Sequence, residues 1–257
     1  MLKKFLQFLG AKTIKFFQEV GQVSTLFLDV LRNFKRLIKN NKDFFYQMEH
    51  IGVNSLPLVF IIAIFTGAVS AWQAAYQLKG IAPLSFLGTA TSRAIITELG
   101  PVLTAIVIAG RVGASIAAEI GSMKVTEQID ALETMGISPV GFLATPRFFA
   151  SIIMMPILVI FADLIAVIGA YLISNYFLGV SFDVFFESVK RYFLFGDFTF
   201  GLIKGMIFGG VTALLGCHIG FRTEGGAEGV GLSTIKSFVV SSAMILILDY
   251  ILWTLHF

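Results

Sequence analysis

The sequence predicts an all-α membrane protein, an N-terminal amphipathic interfacial helix followed by five transmembrane helices. Three observations carry that expectation. Hydrophobic residues make up 56% of the chain and charged residues 14%, with a mean hydropathy of +0.86, outside the range of water-soluble domains. Charge-free stretches run from Ile51 to Leu78, Pro101 to Gly110, Phe148 to Ala162, Leu164 to Phe182, Gly205 to Phe221 and Ser237 to Leu248, and a hydrocarbon core needs ~20 mostly apolar residues per helix. Basic residues crowd one end, where nine of the 19 Lys and Arg precede the first apolar stretch. The apolar segments do not alternate as barrel strands do, which disfavours an outer-membrane barrel. Nothing in the net charge of +3 implies nucleic acid, and the single cysteine, Cys217, cannot support a disulfide framework.

Residues 1–44 form the first unit. Leu2, Phe5, Leu6, Leu9, Phe16, Phe17, Val20, Phe27, Leu31, Phe34 and Ile38 recur at roughly helical spacing. Interleaved with them are Lys3, Lys4, Lys12, Lys15, Arg32, Lys35, Arg36, Lys39 and Lys42. That pattern fits a helix in the membrane interface, with apolar side chains in the acyl boundary and lysines at anionic headgroups. A solvated amphipathic helix packed on a partner is the other reading. Lys12 and Lys15 interrupt the apolar run that a signal peptide would need, and no small-residue cleavage site follows.

Residues 45–257 read as one membrane domain, with spans at about 53–77, 89–117, 148–174, 199–221 and 234–256. The positive-inside bias puts the N-terminus in the cytoplasm and, by alternation, the C-terminus in the periplasm. The loop Glu119–Arg147 and the glycine-rich loop Arg222–Leu232 are then cytoplasmic. The segment Tyr176–Asp197 is periplasmic, with an amphipathic turn or two around Phe182–Tyr192.

The loop between spans 2 and 3 predicts a short amphipathic helix over about 126–136. Thr126 is a suitable cap, Glu127 and Asp130 place negative charge in the first turn, and Val125, Ile129 and Leu132 share a face. Gly136 followed by Pro139 stops the helix. Its apolar stripe needs a surface, either the headgroup region or a cytosolic subunit.

Glu98–Pro139, ELGPVLTAIVIAGRVGASIAAEIGSMKVTEQIDALETMGISP, resembles the signature of the MlaE (YrbE-like) permease family, the membrane subunits of ABC systems that work with MCE-domain proteins. The resemblance continues through LATPR at Leu143–Arg147 and GAEGVGLSTIKSFVVSS at Gly226–Ser242, covering roughly residues 45–257. It implies a permease homodimer in the bacterial inner membrane, a cytosolic ATPase dimer that binds ATP and Mg, and a periplasmic MCE ring receiving or delivering phospholipid. This chain would carry no cofactor of its own. The 126–136 helix then looks like the coupling helix: Ile129 and Leu132 carry force to the ATPase, Glu127, Asp130 and Glu133 set register, and Gly136 ends it.

Polar residues inside hydrocarbon usually face an interior or a water-filled cavity. Ser70, Gln73 and Gln77 fall on one face of span 1 beside Trp72 and Tyr76, and Glu98 precedes Gly100 and Pro101, where span 2 is expected to kink. Together they are candidates for the polar edge of an apolar lipid cavity. Helix–helix hydrogen bonding is the alternative. The resemblance implies lipid near positions matching Gln73, Leu78, Glu98 and Leu99. Many members of the family carry Arg where this chain has Thr97, which removes a fixed cation for a phosphate; Arg93 lies on a different helix face.

Lys204 and Asp249 fall at similar depth on spans 4 and 5 and are expected to pair structurally. Asp163 on span 3 has no evident partner. Gly201, Gly205 and Gly209 form a small-residue ridge on span 4, for core packing or a dimer seam. The GGAEGVG run lacks the Lys-Ser/Thr ending and flanking strand of a phosphate loop, so nucleotide binding belongs to a partner. Scattered histidines and the absence of HExxH give no metal site, and Ser115 with Glu119 lacks the third group of a hydrolase, so an enzyme is disfavoured. The other class to weigh is an ion- or proton-coupled transporter of a hydrophobic substrate, with Glu98, Asp163 and Asp249 as relay.

Overall fold

The computed structural model describes residues 2–39 and 41–256, and the side chains of all of these except 2–9, 16, 36, 38 and 39. Of the amphipathic face predicted at the N-terminus, the side chains of Leu2, Lys3, Lys4, Phe5, Leu6, Leu9, Phe16, Arg36, Ile38 and Lys39 therefore lie outside the described residues.

The fold is all-α. Helix α1, Leu2–Arg32, is followed by α2, Phe34–Lys39, and α3, Asn41–Ile51, which passes through a single 3-10 turn, Val53–Ser55, into α4, Leu56–Leu78. Span 2 is a broken rod in which α5 (Leu87–Ala94), α6 (Gly100–Ile108) and α7 (Ala114–Val125) are joined by π turns at Ile95–Leu99 and Ala109–Gly113. Then come α8, Gln128–Thr134, and a third π turn, Val140–Ala144, that opens α9, Thr145–Leu178. Finally, α10, Phe182–Arg191, precedes α11, Phe195–Phe221, and α12, Gly226–His256. Among the described residues, five helical stretches are long and apolar enough to cross a membrane: Asn41–Leu78, Leu84–Val125, Val140–Leu178, Phe195–Phe221 and Gly226–His256. Each of the predicted spans falls inside one of them.

Small residues set the packing. An ideal Cβ on Gly67 of α4 would sit 1.8 Å from the carbonyl oxygen of Ala166, and one on Gly169 of α9 would sit 2.3 Å from that of Ile64. The two glycines thus open reciprocal close approaches between spans 1 and 3, the small-residue contact by which helices associate where lipid offers no hydrophobic drive. On α11, Gly201 lies against the Ile96 carbonyl, Gly205 against Val159 and Gly209 against Met155 and Ser151. The predicted ridge is therefore spent on packing within the chain, against spans 2 and 3, and not on a seam with a second copy.

Two local expectations change. Thr126 does not cap α8, because its hydroxyl donates back to the Ser122 carbonyl at 2.7 Å. The helix starts later, at Gln128, after Glu127 adopts a left-handed φ of 62°, and it stops at Thr134, before Gly136 turns the chain at φ 71°. The glycine-rich loop is also shorter than expected: Gly225 and Gly226, at φ 88° and 67°, make the turn, and α12 begins at Gly226 itself.

The amphipathic α10 docks back on the bundle. Phe185 is fully buried, and Ser188 meets Thr89 of α5, whose amide donates to the Ser188 hydroxyl at 3.0 Å.

Candidate functional site

Pro101 has no N–H to offer the carbonyl of Thr97, four residues earlier, and its ring crowds that carbonyl. The chain answers with the Ile95–Leu99 π turn, the usual accommodation of an interrupted ladder. The released Thr97 carbonyl accepts a hydrogen bond from Lys204 Nζ at 3.3 Å. Lys204 is completely buried, lies 2.8 Å from Glu98 Oε1 and 2.8 Å from Asp249 Oδ1, and stands 5.0 Å from the ring centres of both Phe200 and Trp253. One cation thus joins spans 2, 4 and 5 through two carboxylates, and hydrocarbon would penalise each charge alone. The cation missing at Thr97 is supplied from span 4, but Lys204 is enclosed and committed to its carboxylates.

A cavity of about 270 Å³ lies beside this cluster, lined by Thr97, Phe200, Trp253 and His256 together with Arg93 and Asp197. Arg93 Nε donates to Asp197 Oδ2 at 3.1 Å, which ties span 2 to the start of span 4.

The polar edge expected on span 1 is not assembled with Glu98. Ser70 is buried, whereas Gln73 and Gln77 are exposed and Leu78 is half-buried. Glu98 turns instead to Lys204. Between spans 1, 2 and 3 lies a tight apolar cleft of about 10 Å³, lined by Leu99 and Leu103 with Thr66 and Thr104 as its polar groups. Asp163 is 5% exposed, and Oδ1 has no hydrogen-bond partner among the described residues. This oxygen occupies the place that a side chain on Gly100 would fill, 1.7 Å from the ideal Cβ.

Two arginine contacts at the other end of the bundle were not anticipated. Arg147 of LATPR donates to Glu119 Oε2 at 2.9 Å and to the Leu143 carbonyl at 2.8 Å, while the Ser115 hydroxyl donates to Glu119 Oε1 at 2.9 Å. Arg111 donates to Ser55 Oγ at 2.6 Å and to the His50 carbonyl at 3.1 Å, fastening the start of span 1 to span 2. The available signal was the cost of an arginine at a span boundary, which demands a partner.

Helix α8 presents a different surface from the one predicted. Ile129 is 4% exposed and Leu132 is half-buried against the bundle core, because the stripe of α8 faces its own chain. Asp130 is held by Lys124 Nζ at 2.8 Å. The apolar side chains turned outward are Met135, 64% exposed, and Ile137, beside exposed Glu127 and Glu133.

On α1, Leu26 and Val30 are buried, and the ring of Phe27 meets that of Phe148 edge-on at 5.7 Å. Glu19 anchors the middle of the helix, with Arg222 at 2.7 Å and His218 Nε2 at 3.0 Å. These contacts hold its carboxyl below the usual carboxylate range, the hydrogen bond to His218 first and the Arg222 guanidinium next.

A family profile described as permease MlaE matches residues 44–255. The chain is similar to a probable ABC transporter permease protein of Rickettsia prowazekii, 38% identical over 257 residues, all of this chain and 99% of the relative. It is similar to the intermembrane phospholipid transport system permease protein MlaE of Haemophilus influenzae, 31% identical with 100% and 99% of the two chains covered. The chloroplastic protein TRIGALACTOSYLDIACYLGLYCEROL 1 of Arabidopsis thaliana is 33% identical over 82% of this chain and 60% of its own length.

Proposed function

The chain belongs to the MlaE permease family, and from that premise we propose that it is the permease subunit of an ATP-driven phospholipid transporter. In this reading it exchanges lipid between the inner membrane and a periplasmic MCE-domain partner, and so maintains outer-membrane lipid asymmetry. The N-terminus is cytoplasmic and the C-terminus periplasmic, as the basic N-terminal segment favours. ATP and Mg are bound by a separate cytosolic ATPase dimer.

The observation that carries the reading is the outward edge of α8 and the turn after it. Met135 and Ile137 are exposed apolar side chains, and Glu127 and Glu133 exposed acids, all within one short segment between two membrane spans. That is the composition of a docking surface for a soluble subunit, with the apolar pair supplying contact and the carboxylates orientation. Closure of the ATPase then pushes on α8, and the buried Ile129 with the half-buried Leu132 transmits the movement into spans 2 and 3.

A second copy of the chain completes the lipid path. Span 5 is the least enclosed of the five and turns Phe238, Val239, Leu246 and Ile247 outward. Exposed Gln73 and Gln77 are then available to a cavity lined by two copies, with Leu99 on its apolar wall.

The test is reconstitution of the complex, purified through this subunit, in vesicles with a fluorescent phospholipid. Transfer should require hydrolysable ATP and survive collapse of the proton gradient. Transfer that ignores ATP and stops with the gradient would favour the proton-coupled alternative, for which the buried Asp163 and the half-buried Asp249 are the supporting observation.

A further inference from the structure

A second cavity, of about 530 Å³, opens between α1 and spans 4 and 5, within the ~300–1,000 Å³ typical of small-molecule sites. Its wall is apolar, formed by Val20 and Val23 of α1, Leu215 and Ile219 of α11, and Val240 and Met244 of α12. Its rim is basic. Lys12 and Lys15 from α1 and Lys236 from α12, all exposed, border it, and the one acid among the lining residues, Glu19, faces Arg222 and His218 and also feels the charge of Lys236. We propose that this groove binds one anionic phospholipid of the leaflet in which α1 lies, with the phosphate among the three lysines and an acyl chain along the apolar wall. Basic pockets between membrane helices select acidic headgroups in this way.

The site differs from the transport path in every element but one. It uses α1 and the faces of spans 4 and 5 that carry Leu215 and Met244, and it shares none of Gln73, Glu98 or Leu99. A lipid seated there fills a gap between α1 and the bundle beyond the Glu19 anchor, so acidic lipid holds the N-terminal half of α1 in place. The assignment to the cytoplasmic leaflet rests on the orientation proposed above; binding itself does not.

Native mass spectrometry of the full chain tests the proposal, after delipidation and titration with phosphatidylglycerol, phosphatidylcholine or inorganic phosphate. One phosphatidylglycerol should be retained over phosphatidylcholine. Each lysine near an acidic headgroup is worth roughly a factor of 5, so Lys12→Gln/Lys15→Gln/Lys236→Gln should weaken retention about 100-fold, and the corresponding triple Arg variant should keep it. Val240→Trp, which leaves every charge in place and narrows the wall, should also lower retention. Equal retention of the two lipids, displacement by inorganic phosphate at equal concentration, or a Gln variant that binds as wild type would each overturn the site. So would a groove closed by a second copy, seen as lipid-free dimer protecting Lys236 from acylation. Because the detergent-solubilised chain has no sides, a wrong orientation would leave this result intact and would show instead in protease accessibility of the N-terminus in vesicles.

Discussion

Lys204 Nζ donates to the carbonyl of Thr97, the one backbone acceptor in its turn that Pro101 deprives of a helical donor. A proline on one span thus creates the seat for an ammonium on another, and Glu98 and Asp249 then neutralise it. Removing the cation leaves two half-buried carboxylates facing each other with no positive charge between them. Lys204→Met should therefore cost about 3–5 kcal/mol, read as a fall in thermal stability of the purified protein. Asp249→Asn should cost less, since Glu98 keeps the lysine paired. Exchanging Lys204 and Asp249 should rescue only partly, because Glu98 would then face an aspartate. Equal losses for the two single variants would contradict the shared-cation arrangement.

The coupling surface predicts a split between two apolar positions. Met135→Asp should leave the fold intact and lower ATP-driven lipid transfer at least ~5-fold, the loss of a contact worth ~1 kcal/mol or more. Ile129→Asp buries a charge inside the chain and should reduce folded yield before any effect on coupling can be read. Wild-type transfer by Met135→Asp would remove this edge from the docking surface.

Glycine substitutions should change sign with the space available. Gly67→Ala drives a methyl into the Ala166 backbone and should destabilise by ~1–3 kcal/mol. Gly21→Ala meets nothing within 4 Å and should favour α1 by about 0.5–1 kcal/mol. Thermal melts of the two variants in one detergent give the comparison.

The Glu19 anchor predicts an acid-labile contact. Its carboxyl is held below its ordinary value by His218 and Arg222, so its contribution is present above the unfolded carboxylate pKa of about 4.3 and is lost as pH falls through the lower folded value. Protection factors of the α1 amides around Glu19, corrected for intrinsic exchange at each pH, should fall in that acid range in wild type and stay level there in Glu19→Gln. An identical profile in both would separate the docking of α1 from this carboxylate.

Much of the fold was legible because the bilayer imposes one long apolar stretch per crossing, and each of the five spans followed from that rule alone. The Lys204–Asp249 contact was legible too, since two lone charges at matching depth have few other partners. Glu98 was misdirected to span 1 because its heading depends on a π turn: one additional residue at Ile95–Leu99 re-aims the side chain, and no periodicity argument counts residues per turn that finely. Ile129 had the spacing of an outward stripe, but spacing fixes only which residues share a face, and here that face turned to the chain's own core. The Arg147–Glu119 contact joins residues from different spans and needed the packing of both.

The π turns of span 2 carry a last consequence. Each holds one residue more than α-helical winding requires, so deleting a residue at Ile95–Leu99 or Ala109–Gly113 would let the turn close as ordinary helix with the rod beyond it near its present phase, whereas a deletion in the α-helical winding between them would rotate everything beyond it by about 100°. A deletion within Gly100–Ile108 would take Arg111 from Ser55 and Glu119 from Arg147. A single-codon loss is therefore borne better at the two π turns than in the straight winding between them, and the same rod that looks most irregular holds its own slack.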